Sequence, residues 1–208
     1  MNTKDRILEE ALSLFSEKGY SNVFVGEIAE RVGIKAPSLY KHFKNKQAIF
    51  DEIILRMHQK FLEEAKQLNI VGNDAGKDAA IYRSLSEEEL VKLGKDLFLY
   101  QLHDPYTKRI RKMLTIEQFR DKDLAGAYTD QYFEQPLLYE KTLLGLMVQQ
   151  GVLKTDNVEV MTLQFYAPFY LYLTVCDRDP GREEEALKIL EEHIRQFNRL
   201  YRRKHHES

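Results

Sequence analysis

A basic stretch near the start of the chain carries the side chains whose chemistry is easiest to interpret. Residues 31–46 contain no acidic side chain, and their basic residues are Arg31, Lys35, Lys41, Lys44 and Lys46. Such a stretch attracts phosphates and releases their counterions on binding. The hydroxyl groups of Ser38 and Tyr40 add hydrogen-bond donors. These residue types favour binding to a nucleic-acid backbone over catalysis.

The remaining polar side chains show no arrangement typical of an enzyme or a metal site. His58, His103 and His193 have no cysteine or histidine at ligand spacing, and Cys176 is the single cysteine. We expect no metal and no cofactor, and an enzyme is only a minor alternative. One cysteine cannot form a bridge within the chain, and the opening residues do not resemble a signal sequence, so we expect a cytoplasmic protein.

Length and composition set the scale of the fold. The chain has 208 residues, 43% of them hydrophobic and 31% charged, enough for one sizeable core or for a small module joined to a larger one. The formal net charge is -2, but residues 1–50 contain eight basic and six acidic side chains, which leaves 23 and 27 for the rest. A nucleic acid must therefore be bound by a local surface near the start.

The longest uncharged run, from Val160 to Cys176, resembles a membrane span only in composition. It has 17 residues, fewer than the roughly 20 that a span needs. Polar side chains such as Thr162 and Gln164 would also have to lose their hydration. We expect a helix buried between protein layers, and no membrane association.

Apolar residues recur at spacings of three and four along the chain, which predicts an all-helical protein. Two short helices separated by Gly33 must pack against the first helix, because helices of that length are marginal alone. A loop is expected at 69–80, where glycine, asparagine and aspartate cluster. The expected helices span 4–18, 26–32, 36–43, 45–68, 87–103, 105–119, 122–150, 157–176 and 180–203.

Capping residues and prolines mark the ends and bends of these helices. Ser86 with Glu89 forms the pattern of a capping box, and Asp104 precedes a first-turn proline. Pro136 and Pro168 fall inside helical patterns and are expected to kink them. The expected caps are Asn2 or Thr3, Ser86, Asp104, Asp121, Asp156 and Asp179.

The elements predict two domains, a DNA-binding domain at 1–46 and a helical domain at 47–208, with the helix at 45–68 as connector. Ala36, Pro37 and Ser38 at the start of the second short helix are compact enough to enter the major groove, where base edges are exposed.

Three segments between Ile7 and Ile53 resemble the DNA-binding domain of the tetracycline-repressor (TetR) family in order, spacing and residue type. They are ILEEALSLFSEKGY, VGEIAERVGI and KAPSLYKHFKNKQAIFDEI. The resemblance implies that 26–32 and 36–43 form a helix-turn-helix whose second helix is the recognition helix. It also implies an amino-terminal three-helix domain, a connector helix, and a carboxy-terminal helical domain for ligand binding and dimerisation.

The same resemblance implies DNA contacts in and after the recognition helix. Tyr40, His42 and Lys46 would contact phosphates, and the residues nearest the base edges would be Lys35, Ala36, Pro37, Ser38 and Lys41. The family usually has threonine and serine where this chain has Val23 and Phe24, and often a serine cap where it has Lys35. We therefore expect no hydroxyl cap at either helix of the motif.

The resemblance further implies a homodimeric transcriptional regulator, a repressor, that binds a palindromic operator and releases it when a small molecule binds. A regulator that responds to a protein partner and has no small-molecule inducer is the alternative. Aromatic and flexible apolar residues indicate an apolar or aromatic ligand, although each of them could equally be core. Glu117 is expected to be solvated, with a role opposite a cationic ligand as the alternative. The candidate ligand contacts are Phe61, Phe98, Leu102, Met113, Phe119, Tyr128, Tyr132, Phe165, Phe169 and Tyr170.

The final two helices carry apolar residues on more than one side, so two surfaces must cover them. The resemblance implies that these helices pair with their copies in a dimer, while the alternative is that both stripes are internal core. The candidate dimer residues are Leu163, Ala167, Leu171, Val175, Leu190, Ile194, Phe197 and Tyr201.

Overall fold

A computed structural model describes residues 1–203, and the basic tail with His205 and His206, expected to be solvated, lies outside the described residues. The described residues are 80% helical, and they contain one isolated bridge, between Leu153 and Arg202, and no strand. The all-helical prediction is confirmed. The helices are α1 Thr3–Lys18, α2 Val25–Val32, α3 Ala36–Tyr40, α4 Lys46–Gln67, α5 Ala75–Ser84, α6 Glu87–His103, α7 Pro105–Glu117, α8 Lys122–Thr129, α9 Gln135–Gln149, α10 Val158–Arg178 and α11 Glu183–Tyr201.

Four helices, α1, α6, α7 and α8, begin at the side-chain caps that the sequence predicts. The Asn2 side chain accepts from the Asp5 amide at 2.9 Å, and Asp104 accepts from the Thr107 amide at 2.8 Å. Ser86 and Glu89 form the expected reciprocal pair. Two predicted caps are wrong. The cap of α10 is Asn157 and not Asp156. Asp179 caps the 3-10 segment Pro180–Arg182, and α11 begins after it without a side-chain cap.

The predicted loop at 69–80 is correct for 69–74 and wrong for 75–80, because α5 begins at Ala75. Asp74 caps α5 by accepting from the Lys77 amide at 3.1 Å. Asp78 is fully buried, and its carboxylate accepts from the amides of Val71 and Gly72. Local composition favours a loop, but this cap and these tertiary hydrogen bonds allow a helix.

The single helix predicted at 122–150 is interrupted by a π-helical segment, Asp130–Glu134, between α8 and α9. Pro136 lies in the first turn of α9. Because proline has no amide hydrogen, it cannot donate to the carbonyl of Tyr132 four residues earlier. That carbonyl instead accepts from the hydroxyl of Tyr166 at 2.7 Å.

The chain forms two compact units whose limits differ from the domains expected at 1–46 and 47–208. The amino-terminal unit contains Met1–Phe61 and Asp104–Asp130, and the carboxy-terminal unit contains Leu62–His103 and the residues from Gln131 onward. Within the amino-terminal unit, α7 packs against both α1 and α8. A segment far away in sequence is therefore part of the unit that contains the predicted DNA-binding motif.

The carboxy-terminal unit is built by packing of α5 against α9, α6 against α11, and α10 against both α9 and α11. Gly94 on α6 lets α11 approach closely, since a Cβ added there would lie 2.6 Å from Cδ1 of Ile194. Among residues 1–203, no helix combines the length and apolar character that a membrane span requires.

Candidate nucleic-acid interface

The helix-turn-helix is supported by buried apolar residues from each of its helices. Ile28 and Val32 of α2 and Leu39 of α3 are almost completely buried. Gly33 ends α2 in the left-handed conformation at φ 76°, and its amide donates to the carbonyls of Ala29 and Glu30. A glycine adopts this conformation without the steric cost of a side chain, which allows the tight turn into α3.

Helix α3 presents most of the predicted DNA contacts to solvent. Lys35, Pro37, Lys41 and His42 are exposed, and Tyr40 is 52% exposed. Ala36 and Ser38 are partly exposed. The regular helix ends at Tyr40, and not at Phe43 as predicted. The amides of His42 and Phe43 donate to the Leu39 carbonyl in the turn that follows.

The basic stretch 31–46 is neutralised at one end only. Arg31 forms ion pairs with Glu10 and Glu17 of α1. Lys35, Lys41 and Lys44 are exposed, and the described part of the chain supplies no ion-pair partner to them. Positive charge is therefore presented around α3 and the turn after it.

The expected absence of hydroxyl caps is confirmed at both helices of the motif. Phe24 is the cap residue of α2 and Lys35 that of α3, and neither side chain makes a capping hydrogen bond. Val23 is fully buried, whereas Phe24 is 73% exposed. The pair Val23 and Phe24 thus anchors the start of α2 by packing on one side and leaves an aromatic ring in solvent on the other.

Lys46 is the predicted phosphate contact that is already engaged within the protein. Its ammonium donates to the carbonyls of Tyr20 at 2.8 Å and Val23 at 3.0 Å, and lies 4.2 Å from the centre of the Tyr20 ring. Burial lowers the pKa of Lys46, opposed by the carboxylates of Asp121 and Glu117. Lys46 therefore supports the turn between α1 and α2, and at most its remaining hydrogen can face a phosphate.

Glu117 is fully buried and Glu140 is partly buried with its Oε2 out of contact with solvent, and the sequence identified neither feature. Glu117 of α7 is fully buried and not solvated, and its Oε2 accepts from the Ser21 hydroxyl at 2.9 Å. In α9, the Oε2 of Glu140 is buried without a hydrogen-bond partner among the described residues, and burial raises the pKa of Glu140 to about 7. Glu140 falls at the spacing of Leu144 and Met147, so an acid within an apolar stripe was the available signal.

The ten candidate ligand contacts are divided between the two units. Phe61, Met113, Phe119 and Tyr128 belong to the amino-terminal unit, and the other six belong to the carboxy-terminal unit. The prediction for Phe119 is corrected, because this side chain follows the end of α7 and is 89% exposed. A ring so placed lines no enclosed pocket.

Most of the candidate ligand contacts in the carboxy-terminal unit are packed against other core residues. Phe98 and Leu102 pack in a cluster with Leu173, Cys176, Ala186 and Leu190, and Phe165 and Phe169 pack against His193. Tyr132 and Tyr170 form a separate aromatic group with Phe133, with ring centres 6.3 Å apart for the two tyrosines.

An open groove of about 670 Å³ lies between the start of α5 and α9, and none of the ten candidates lines it. No group of three or more histidine, cysteine or acidic residues within 1–203 is placed to hold a metal ion.

The candidate dimer residues divide into exposed and buried positions. On α10, Leu163, Ala167 and Leu171 are exposed, with the two leucines 54% and 56% exposed. On α11, however, Leu190, Ile194 and Phe197 are buried in the core of the unit, partly because Gly94 admits Ile194. Those three predictions are corrected. Val175 and Tyr201 are partly exposed.

The apolar residues that α11 does expose are ones that the sequence did not single out, Ile189 and Leu200, and α10 adds Val160. We call these exposed residues of the two helices the α10–α11 face: Val160, Leu163, Ala167, Leu171, Ile189 and Leu200.

The family comparison matches the region of the helix-turn-helix. Residues 7–53 match the family model described as bacterial regulatory proteins, tetR family. IcaR of Staphylococcus aureus, named as the negative transcriptional regulator of the biofilm operon icaADBC, is 45% identical over 51 residues, 24% of this chain and 27% of IcaR.

Two further similarities extend over nearly the whole chain. The probable HTH-type transcriptional regulator YttP of Bacillus subtilis is 22% identical over 202 residues, 97% of this chain and 89% of YttP. The fold is similar to that of SmeT, the repressor of the Stenotrophomonas maltophilia multidrug efflux pump SmeDEF, with TM-score 0.65, 19% identity, and coverage of 99% of this chain and 93% of SmeT. In its complex with triclosan, SmeT has TM-score 0.70, the same identity, and coverage of 99% and 94%. Residues 7–53 thus match the tetR family of bacterial regulatory proteins, and over nearly its whole length the chain has the fold of the repressor SmeT.

Proposed function

We propose that the chain is a cytoplasmic, homodimeric repressor that binds a palindromic operator and releases it when a small apolar or aromatic molecule binds. The observation that carries the DNA-binding part is the exposed surface of α3, where Lys35, Lys41 and His42 surround Tyr40 on a helix held by buried Leu39. The names of IcaR and SmeT support the negative sign of regulation.

The proposed roles of the α3 residues follow from their chemistry. Tyr40 and His42 contact phosphates, which sets orientation and adds affinity without reading sequence. Pro37, Ser38 and Lys41, with Lys35 and Ala36, lie nearest the base edges. Lys46 acts mainly by holding the turn before α2.

Dimerisation is proposed to occur through the α10–α11 face. Covering leucines that are more than half exposed with a second apolar surface is favourable, because it removes apolar area from water. A twofold dimer also places two recognition helices on half-sites one helical turn, or a multiple of it, apart.

The proposed ligand site lies in the carboxy-terminal unit near Tyr132 and Tyr170. A ligand that prefers the arrangement unfavourable for operator binding lowers operator affinity by its differential binding energy. The complex of SmeT with triclosan supports a small molecule as the effector.

Footprinting of the purified protein on DNA that flanks its own gene tests the proposal. We expect a symmetric protected site, and release of that site by members of a panel of aromatic small molecules. Protection that no bound small molecule changes would favour control by a protein partner, and absence of protection on any duplex would refute the DNA-binding function.

A further inference from the structure

The turn between α1 and α2 is held by a carboxylate from a distant part of the chain. Glu117, the last residue of α7, is fully buried, and its Oε2 accepts from the Ser21 hydroxyl at 2.9 Å across 96 residues of sequence. Ser21 lies in the turn from which α2 starts. The hydrogen bond therefore joins α7 directly to the first part of the helix-turn-helix.

The second oxygen of Glu117 fits against Gly19 in the same turn. Gly19 has φ +84°, and a Cβ added to it would lie 2.1 Å from Oε1 of Glu117. Glycine is therefore required both by the backbone conformation and by the space that the carboxylate occupies. Oε1 accepts no hydrogen bond from the residues that the structure describes.

An ammonium group from another helix holds the same turn. Lys46, at the start of α4, donates to the carbonyls of Tyr20 and Val23. The turn 19–23 is thus held by Lys46 from α4 and by Glu117 from α7.

The energetic cost of Glu117 indicates a role beyond stability. A carboxylate that is buried with one oxygen unpartnered destabilises the folded state. Its contacts with Ser21 and Gly19 lie in the turn that sets where α2 begins.

We propose that Glu117 is a positioning residue for DNA binding, which through Ser21 and Gly19 fixes the turn that orients α2 and, through α2, the recognition helix α3. The inference rests on the proposed DNA-binding function. It makes α7 a required part of the DNA-binding unit although none of the residues proposed to contact DNA belongs to α7.

The test is a double-mutant cycle on the full chain, with Ser21→Ala, Glu117→Ala and the combined variant, and with the footprinted duplex as probe. Each single change should weaken binding roughly 3- to 10-fold, the range expected when one supporting hydrogen bond is lost. The combined variant should bind no more weakly than Glu117→Ala, because both changes remove the same contact. Glu117→Gln keeps an acceptor for Ser21 and should bind within about twofold of the wild type.

Glu9→Ala is the matched control, since it removes another contact between α1 and α7, the ion pair of Glu9 with Arg109 at 2.7 Å, without touching the turn. It should leave the affinity unchanged. Equal weakening by Glu9→Ala would overturn the inference, because docking of α7 in general would then suffice. Additive losses in the cycle would overturn it as well.

Amide hydrogen exchange at residues 19–25, measured without DNA, tests whether the turn itself becomes less stable in the variants. Exchange should rise in Ser21→Ala and in Glu117→Ala and stay low in Glu9→Ala. If Glu117→Ala does not fold, Ser21→Ala, a change at an exposed serine, decides the question by its affinity and exchange. Wild-type protein that binds no duplex would refute the proposed function, whereas wild-type binding with unaffected variants would refute this inference alone.

Discussion

In the amino-terminal unit, α3 and the residues next to it expose Lys35, Tyr40, Lys41 and His42, whereas in the carboxy-terminal unit α10 and α11 expose leucine, isoleucine and valine. The first surface is suited to a polyanion, and the second to an apolar partner such as a second copy of the chain. The motif around α3 was recognisable from a few residues at close spacing. The α10–α11 face was identified only in part, because an apolar stripe does not show which of its sides is already covered.

Charged residues placed on the α10–α11 face should prevent it from pairing with a second copy of the chain. Leu163→Glu combined with Leu171→Glu places two carboxylates on the α10–α11 face and should convert the dimer to a monomer in sedimentation experiments. Operator affinity should fall about 100-fold or more, since the avidity of two linked recognition helices is lost. Leu138→Glu, at a 60% exposed leucine of α9, is the control and should remain dimeric; a dimer in the double variant would show that this face is not the interface.

The second prediction concerns Glu140, a partly buried carboxylate of the carboxy-terminal unit. Burial raises the pKa of Glu140 to about 7 from the usual 4.5, so ionising it costs free energy in the folded state. Glu140→Gln removes that cost. The variant and wild type should be similar at pH 4.5, and the variant should be more stable above pH 7, by roughly 2 to 3 kcal/mol in chemical unfolding at pH 8. A pH-independent difference would show that the folded protein does not raise this pKa.

Lys46 and Lys41 of the amino-terminal unit should differ in how much each contributes to the free energy of unfolding. Lys46→Ala should lower the free energy of unfolding by roughly 1 to 3 kcal/mol, because the hydrogen bonds to the carbonyls of Tyr20 and Val23 are lost. Lys41→Ala removes an exposed ammonium and should leave stability unchanged while weakening DNA binding and relaxing its sequence preference. Equal stability of the two variants in denaturant would contradict the role assigned to Lys46.

The smallest effect tests the missing cap of α2. Phe24 is an exposed cap residue in an extended conformation, φ -104° and ψ 150°, which suits serine. Phe24→Ser should stabilise the protein by about 0.5 to 1 kcal/mol through a new hydrogen bond to the first turn. Phe24→Ala, which removes the ring without adding an acceptor, is the control in thermal unfolding, and equal stability of the two variants would exclude a capping effect.

The helical class, most helix limits, and the helix-turn-helix with the exposed residues proposed to contact DNA follow from the amino-acid sequence alone. These features depend on spacing, caps and glycines within a few residues of one another, as at Ser86 with Glu89 and at Gly33.

Three features could be seen only in the tertiary structure. Helix α5 forms, and the Glu117 carboxylate accepts a hydrogen bond from Ser21 in the turn before α2. The third feature is the burial in the core of Leu190, Ile194 and Phe197. Each of these outcomes depends on which surface a distant helix covers. Such contacts cross tens of residues, and local periodicity carries no information about the partner.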